Sequence, residues 1–204
     1  ASLLVALSLK MSSAGFTWGD SFMTGIFQVV SFISTTGFAI SDNNTWPLFA
    51  CFITVLVSIP CGMAGSTTGG VKSDRMFLIF KTIGQQIKNS IHPSSINQVH
   101  VGNHIMGSNE IYPHFVYFGL YFITIAASIV LTVLSGMDIQ NAFASSVSFL
   151  SNVGPALEAQ GTLGNYNAVP VFAKVVFIID MFMGRVEIYP ILAVVMMIFT
   201  GKKK

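Results

Sequence analysis

The sequence writes one apolar, helix-compatible phrase twice, and each time the phrase stops on a glycine. Positions 30–38 read VSFISTTGF and positions 147–155 read VSFLSNVGP. A shift of 117 positions lays Ser31 on Ser148, Phe32 on Phe149, Ser34 on Ser151 and Gly37 on Gly154, with Ile33 on Leu150. Each copy lies between two long apolar segments, so the chain reads as a duplicated unit. Any fold must provide two equivalent places where a short helix ends abruptly in apolar surroundings.

Composition says what those surroundings are. Of 204 residues, 52% are hydrophobic and 9% are charged. A soluble domain carries roughly 25% charged residues. Polar side chains are too few to coat a water-soluble particle, so the expected surroundings are membrane lipid. The net charge of +2 and the lack of a basic cluster interleaved with aromatics give no reason to expect nucleic acid as a partner. Cys51 and Cys61 lie in or beside one apolar run and read as small buried hydrophobes.

Taken in order, residues 1–9 are apolar but cover only about half a bilayer at roughly 1.5 Å per residue. With no initiator Met and no basic n-region, this start reads as the last turns of a helix and the chain as part of something longer. A polar connection follows, with Gly15 and Gly19. Residues 21–34 are apolar but too short to cross a membrane, which is the length of a re-entrant helix. Trp46 and Pro47 then open a second span, with Trp at headgroup level and Pro in the first turn.

That span breaks at Pro60 and runs into GMAGSTTGGVK, positions 62–72. Backbone this rich in glycine and hydroxyl residues cannot face lipid, so it must be enclosed by protein or line a water-filled cavity. An amphipathic helix with Arg75, Lys81 and Lys88 follows, then a polar linker over 89–113 containing Pro93, Gly102, Gly107 and Pro113.

The second unit occupies 114–204: a full span at 114–135, a short helix at 139–151, the loop 152–155, a long span at 169–199 and a basic tail. The first unit is 1–88: the end of a span, the short helix 21–34, the loop 35–38 and the broken span 46–88. Lys72, Arg75, Lys81, Lys88 and Lys202–Lys204 fall on one side; Asp20, Asp42, Asp138 and Glu158 fall on the other, with Lys10. The positive-inside rule puts the first group in the cytoplasm and makes both short helices enter from outside.

A re-entrant helix followed by a short glycine-bearing loop is a physical solution for holding a dehydrated cation. The helix aims its partially negative C-terminal end at the membrane centre. The loop then offers backbone carbonyls in place of water. Successive carbonyls facing one way demand backbone angles that a Cβ penalises, hence glycine. Thr35-Thr36-Gly37-Phe38 and Asn152-Val153-Gly154-Pro155 have that composition, and the competing reading is a pair of tight turns between buried helices.

STTGF, then a broken span carrying GSTTGGVK, then SNVGP, then GRVE resembles the C-terminal half of the Trk/Ktr/HKT superfamily of potassium transporters, nearest the bacterial Trk membrane subunit. The likeness runs over essentially the whole chain. It implies an all-α integral membrane fold of tandem span–pore helix–filter loop–span repeats, here the third and fourth of four, in the bacterial inner membrane.

The resemblance implies that Thr35, Thr36, Gly37 and Phe38 line a potassium filter together with Asn152, Val153, Gly154 and Pro155. It makes Gly65, Ser66, Thr67, Thr68, Gly69 and Gly70 an intramembrane gate under that filter, and sets Arg185 of the last span against it. An arginine at mid-span is a functional candidate on cost alone. The other reading of Arg185 is an ordinary buried pair with Asp180 or Glu187. The implied partners are the two repeats of an N-terminal half, a second copy in a homodimer and a cytoplasmic nucleotide-binding regulatory subunit near Lys81, Lys88 and the linker. Potassium is the substrate, and no cofactor is implied.

The loops depart from the Val-Gly-Tyr-Gly of tetrameric potassium channels, with one glycine each, which implies weaker discrimination among potassium, rubidium and sodium. The alternatives are a sodium-preferring or poorly selective path, and a non-conducting structural or regulatory subunit of the same fold. No enzyme is expected. GSTTGGVKS at 65–73 misses a phosphate-binding loop by one residue, since Val71 separates Gly70 from Lys72, and it lacks the preceding strand. His100, His104, Glu110 and His114 lack a zinc-hydrolase pattern and read as a solvated cytoplasmic loop.

Overall fold

The computed structural model describes residues 1–12, 17–91, 99–102, 104–156 and 165–200. Gly15, Pro93, Glu158 and the basic tail 201–204 lie outside the described residues. Among the described residues, eight α-helices carry the fold: α1 Ser2–Met11, α2 Trp18–Ile33, α3 Leu48–Val57, α4 Ser73–Ile91, α5 Ser108–Leu134, α6 Ile139–Leu150, α7 Val171–Val186 and α8 Ile188–Thr200.

The two short helices, α2 and α6, have matching ends. The Thr17 side chain accepts the Asp20 N–H at 3.2 Å, and the Asp138 carboxylate accepts the Gln140 N–H at 3.0 Å. Each supplies an acceptor to a helix start that would otherwise leave donors unmet. At the far ends both chains turn left-handed, at Thr35 (φ 55) and Asn152 (φ 58).

Small residues set the packing. A Cβ on Gly25 of α2 would lie 3.1 Å from the Ala6 nitrogen and the Ser2 carbonyl oxygen, so α1 and α2 meet backbone to backbone. In hydrocarbon, where burying apolar surface gains little, such close approach supplies the attraction between helices. Val5, Leu9, Val29 and Ala50 form one core among α1, α2 and α3. A larger core joins the two halves: Val55, Ile59 and Val71 pack with Tyr117, Tyr121, Val147 and Leu150. A third, Ala142, Ala173, Phe177 and Met137, seats α7 on α6.

Burial is inverted relative to a soluble protein. On α2, Ser21, Thr24, Gln28 and Ser31 are buried while Phe22, Met23, Phe27 and Val30 are exposed. Ile123, Leu134, Val171 and Ile178 are each more than 60% exposed, an apolar outer face far beyond what a soluble monomer tolerates. Among the described residues, α5 is the single unbroken helix long and apolar enough to cross a membrane.

Two expectations change. The long span at 169–199 is two helices, α7 and α8, bent by 109° at Glu187. Pro190 disfavours a continuous helix here, since its ring would meet the carbonyl of Val186, four residues earlier. Glu187 takes up the turn at φ 68, ψ 153, backbone that residues with a Cβ rarely adopt. The linker over 89–113 is also shorter, since α4 runs on to Ile91 and α5 begins at Ser108. Between them an antiparallel hairpin, β1 Val99–Val101 with β2 His104–Met106, pairs His100 with Ile105 and Val101 with His104.

Candidate functional site

The loops after α2 and α6 are built alike. Ser34 and Ser151 close the last full turn by donating to the Val30 and Val147 carbonyls, each at 2.9 Å. Thr36 N–H donates to Ser31 at 3.0 Å, and Val153 N–H to Ser148 at 2.9 Å. Ser31 Oγ then donates to the Phe38 carbonyl at 2.7 Å, and Ser148 Oγ to the Pro155 carbonyl at 2.5 Å. Gly37 (φ 71) and Gly154 (φ 103) follow, both left-handed. The shift of 117 that aligned the letters aligns these backbones bond by bond.

The tertiary structure brings the loops together. A Cβ on Gly37 would collide with the carbonyl oxygen of Val153 and come within 3.2 Å of Pro155 Cδ. Thr36 and Phe38 stay exposed, whereas Thr35 and Gly37 are half-buried. In the second loop Val153 is buried, and Asn152, Gly154 and Pro155 are half-buried.

The glycine-rich segment lies directly against the second loop. A Cβ on Gly69 would overlap the Ser151 carbonyl, with the Ser151 carbonyl carbon at 2.6 Å and Asn152 Cβ at 3.2 Å. On the other side, a Cβ on Gly70 (φ 72) would stand 2.6 Å from the Ile59 carbonyl oxygen and 2.7 Å from Cys61 Sγ. Gly65, Ser66 and Thr67 are exposed, Thr68 is half-buried, and Gly69 and Gly70 are buried. Internal bonds hold the segment: Gly62 N–H donates to Thr68 Oγ1 at 3.1 Å, Ser66 and Thr68 share a hydroxyl bond of 2.7 Å, and Ser66 Oγ donates to Met63 at 2.6 Å.

Three cations organise this region. Arg185 Nη1 donates to the carbonyl of Thr67, linking α7 to the exposed part of the segment. Lys72, expected on the cytoplasmic surface, is 5% exposed and folds back to donate to Ser66 at 2.9 Å and to the Thr68 carbonyl. Arg75 pairs with Glu187 at 2.8 Å and lies 4.0 Å from the Tyr117 ring centroid. Arg185 therefore pairs with neither Asp180 nor Glu187. The Asp180 carboxylate, 3% exposed, accepts instead from Ser128 Oγ, which also lies 3.0 Å from the Ser146 hydroxyl. Sequence reasoning missed Lys72 because a lysine after a glycine run looks like any other positive-inside charge.

Cys51 and Cys61 are free and buried, as expected. Among the described residues no group of three or more His, Cys, Asp or Glu is placed to hold a metal ion.

The TrkH family, described as cation transport protein, matches residues 6–202. The chain belongs to that family. It is 32% identical over 181 residues to the Trk system potassium uptake protein TrkH of Escherichia coli K12, covering 89% of this chain and 36% of that protein. It is 30% identical over 199 residues to the Trk system potassium uptake protein TrkG of the same strain, 93% of this chain and 40% of that one. In structure it is similar to the potassium transporter TrkH from Vibrio parahaemolyticus, with a TM-score of 0.86, 29% identity, and coverage of 95% of this chain and 41% of the other. The chain thus spans about two fifths of the length of these relatives. As a TrkH-family chain it is an all-α integral membrane protein.

Proposed function

We propose that this chain forms the third and fourth walls of a potassium uptake path through the bacterial inner membrane. The reading rests most on one observation: two loops of matching backbone, 117 residues apart in sequence, meet at Gly37 and Val153. The naming of its relatives as potassium uptake proteins points the same way.

In this reading the carbonyls of Thr35, Thr36, Gly37 and Phe38, and of Asn152, Val153, Gly154 and Pro155, replace water around potassium. The C-terminal ends of α2 and α6 add negative potential there. Residues 65–70 obstruct the path below. The Arg185 bond to Thr67 and the Lys72 bonds to Ser66 and Thr68 hold that obstruction in its resting position. Membrane potential drives the ion inward once the segment moves. Two repeats cannot enclose a path, so two further repeats complete it. The homodimer and the cytoplasmic nucleotide-binding regulatory subunit belong to the same proposal, as does the multi-pass topology with Lys81 and Lys88 inside.

The test is radioactive rubidium uptake by liposomes holding the complete transporter, beside its Gly37→Asp variant. Potassium-competable uptake that vanishes in the variant, with insertion intact, is the expected result. Equal uptake in both removes this loop from the path. No uptake by either, with the regulatory partner present, leaves a non-conducting subunit of the same fold.

A further inference from the structure

Three consecutive carbonyls at the end of the second loop and just beyond it each accept a hydrogen bond from a side chain of a different segment. Tyr166 Oη donates to Gly154 at 2.8 Å, Ser148 Oγ to Pro155 at 2.5 Å and Asn43 Nδ2 to Ala156 at 3.1 Å. Ser148 belongs to the helix that enters the loop, Tyr166 to the connection before α7, and Asn43 to the other half of the chain. Among the described residues, the Ser148 bond alone has a counterpart in the first loop, the Ser31–Phe38 bond. The position 117 before Tyr166 is Phe49, which has no hydroxyl and is exposed.

Tyr166 is held where it works. Its ring packs on Phe149 at 5.1 Å, and Phe149 stacks on Phe177 at 4.6 Å and 27°. Ring, helix α6 and helix α7 thereby form one stack, and a half-buried phenol so placed finds a partner for its O–H. Burial pushes the phenol up to about 12, so it remains a donor at any physiological pH. The carbonyl it engages is the one carried by the loop's glycine, the residue most free to rotate.

We infer that Tyr166 is a specificity-determining positioning residue, which fixes the Gly154 carbonyl and so sets the potassium preference of the fourth wall. This rests on the reading in which residues 152–155 line the ion path. A carbonyl held by such a hydrogen bond is not free to turn and close around a smaller ion. Released, it can approach sodium more nearly, whether preference comes from cavity size or from the number of coordinating dipoles.

The experiment compares wild type, Tyr166→Phe and Phe149→Leu in the complete transporter, measuring rubidium uptake with potassium or sodium as competitor. Tyr166→Phe keeps the ring and removes the donor; Phe149→Leu keeps the donor and weakens the stack. Tyr166→Phe is expected to retain uptake and lower the potassium-over-sodium preference roughly threefold to tenfold, the weight of one neutral hydrogen bond. Phe149→Leu loosens the stack that holds Tyr166 but keeps the donor, so it is expected to lower melting temperature and to lower the preference by less than Tyr166→Phe does. An unchanged preference in Tyr166→Phe, or an equal drop in both variants, overturns the inference and leaves the transport reading standing. Absence of uptake in wild type removes both. If Tyr166→Phe carries no ions, the shift in its melting temperature on adding potassium against sodium decides: a wild-type difference overturns the inference, and a lost difference supports it.

Discussion

The Cα of Gly37 lies against the carbonyl oxygen of Val153, leaving no room there for a side chain. Gly154, its counterpart by sequence, has no atom of the described residues within 4 Å of where a Cβ would stand, apart from its own chain neighbours. The two glycines therefore have different reasons to be glycine. At Gly37 the demand is steric and comes from the other loop; at Gly154 it comes from φ 103 alone. Gly154→Ala should cost about 1–3 kcal/mol of stability and leave uptake measurable. Gly37→Ala should force the loops apart and abolish uptake in protein that still inserts. Melting curves and rubidium uptake on the two variants check the contrast.

Arg185→Ala should raise uptake. The lost bond is charge-assisted, worth about 1.5–3 kcal/mol, so the open population rises roughly tenfold or more if the bond exists only at rest. Arg185→Lys should fall between the two. Unchanged uptake by well-folded Arg185→Ala would remove Arg185 from gating.

Glu187 combines a costly backbone with an ion pair to Arg75. Both partners are partly exposed, with side chains 18% and 37% accessible, so the pair itself is worth about 1 kcal/mol or less. A double-mutant cycle with Glu187→Gln and Arg75→Gln should show a coupling of that size. Arg75→Gln alone should cost more than Glu187→Gln, because it also removes the contact with Tyr117.

Gly184→Ala should be among the most damaging substitutions in α7. A Cβ there would collide with the Leu150 carbonyl and stand 2.6 Å from Asn152 Nδ2. The helix would have to move away from the end of α6, breaking the bond of 3.2 Å from Asn152 to Met181. The melting temperature should drop by several degrees, and uptake with it.

Asp180→Asn should be nearly neutral, since an amide oxygen can still accept from Ser128. Asp180→Ala should cost about 1–3 kcal/mol by stranding a buried hydroxyl. Equal melting temperatures for the two would mean that Ser128 finds another acceptor.

Much of this architecture was legible in one dimension because it depends on local, repeated chemistry. The short helices, their abrupt ends and the glycine after each follow from apolar runs cut by Ser-Thr-Thr-Gly and Ser-Asn-Val-Gly. The break after Pro60 follows from glycines that no lipid-facing helix contains. These features arise within a few residues of the letters that encode them. Pro190 was legible too, but its consequence was missed, because a proline in an apolar run can sit in a first turn or end a helix, and only the path of α8 decides.

What only the tertiary structure decided were the meetings of distant residues: Gly37 with Val153, Gly69 with Ser151, Arg185 with Thr67, Arg75 with Glu187, and Asn43 and Tyr166 with carbonyls at the end of the second loop and just beyond it. The reason is physical. Backbone conformation is governed by neighbours in sequence, whereas a carbonyl's partner is whichever donor the packing of other helices carries to within about 3 Å. The sequence by itself determined two equivalent loops in a membrane; the packing made one of them tightly held and the other open.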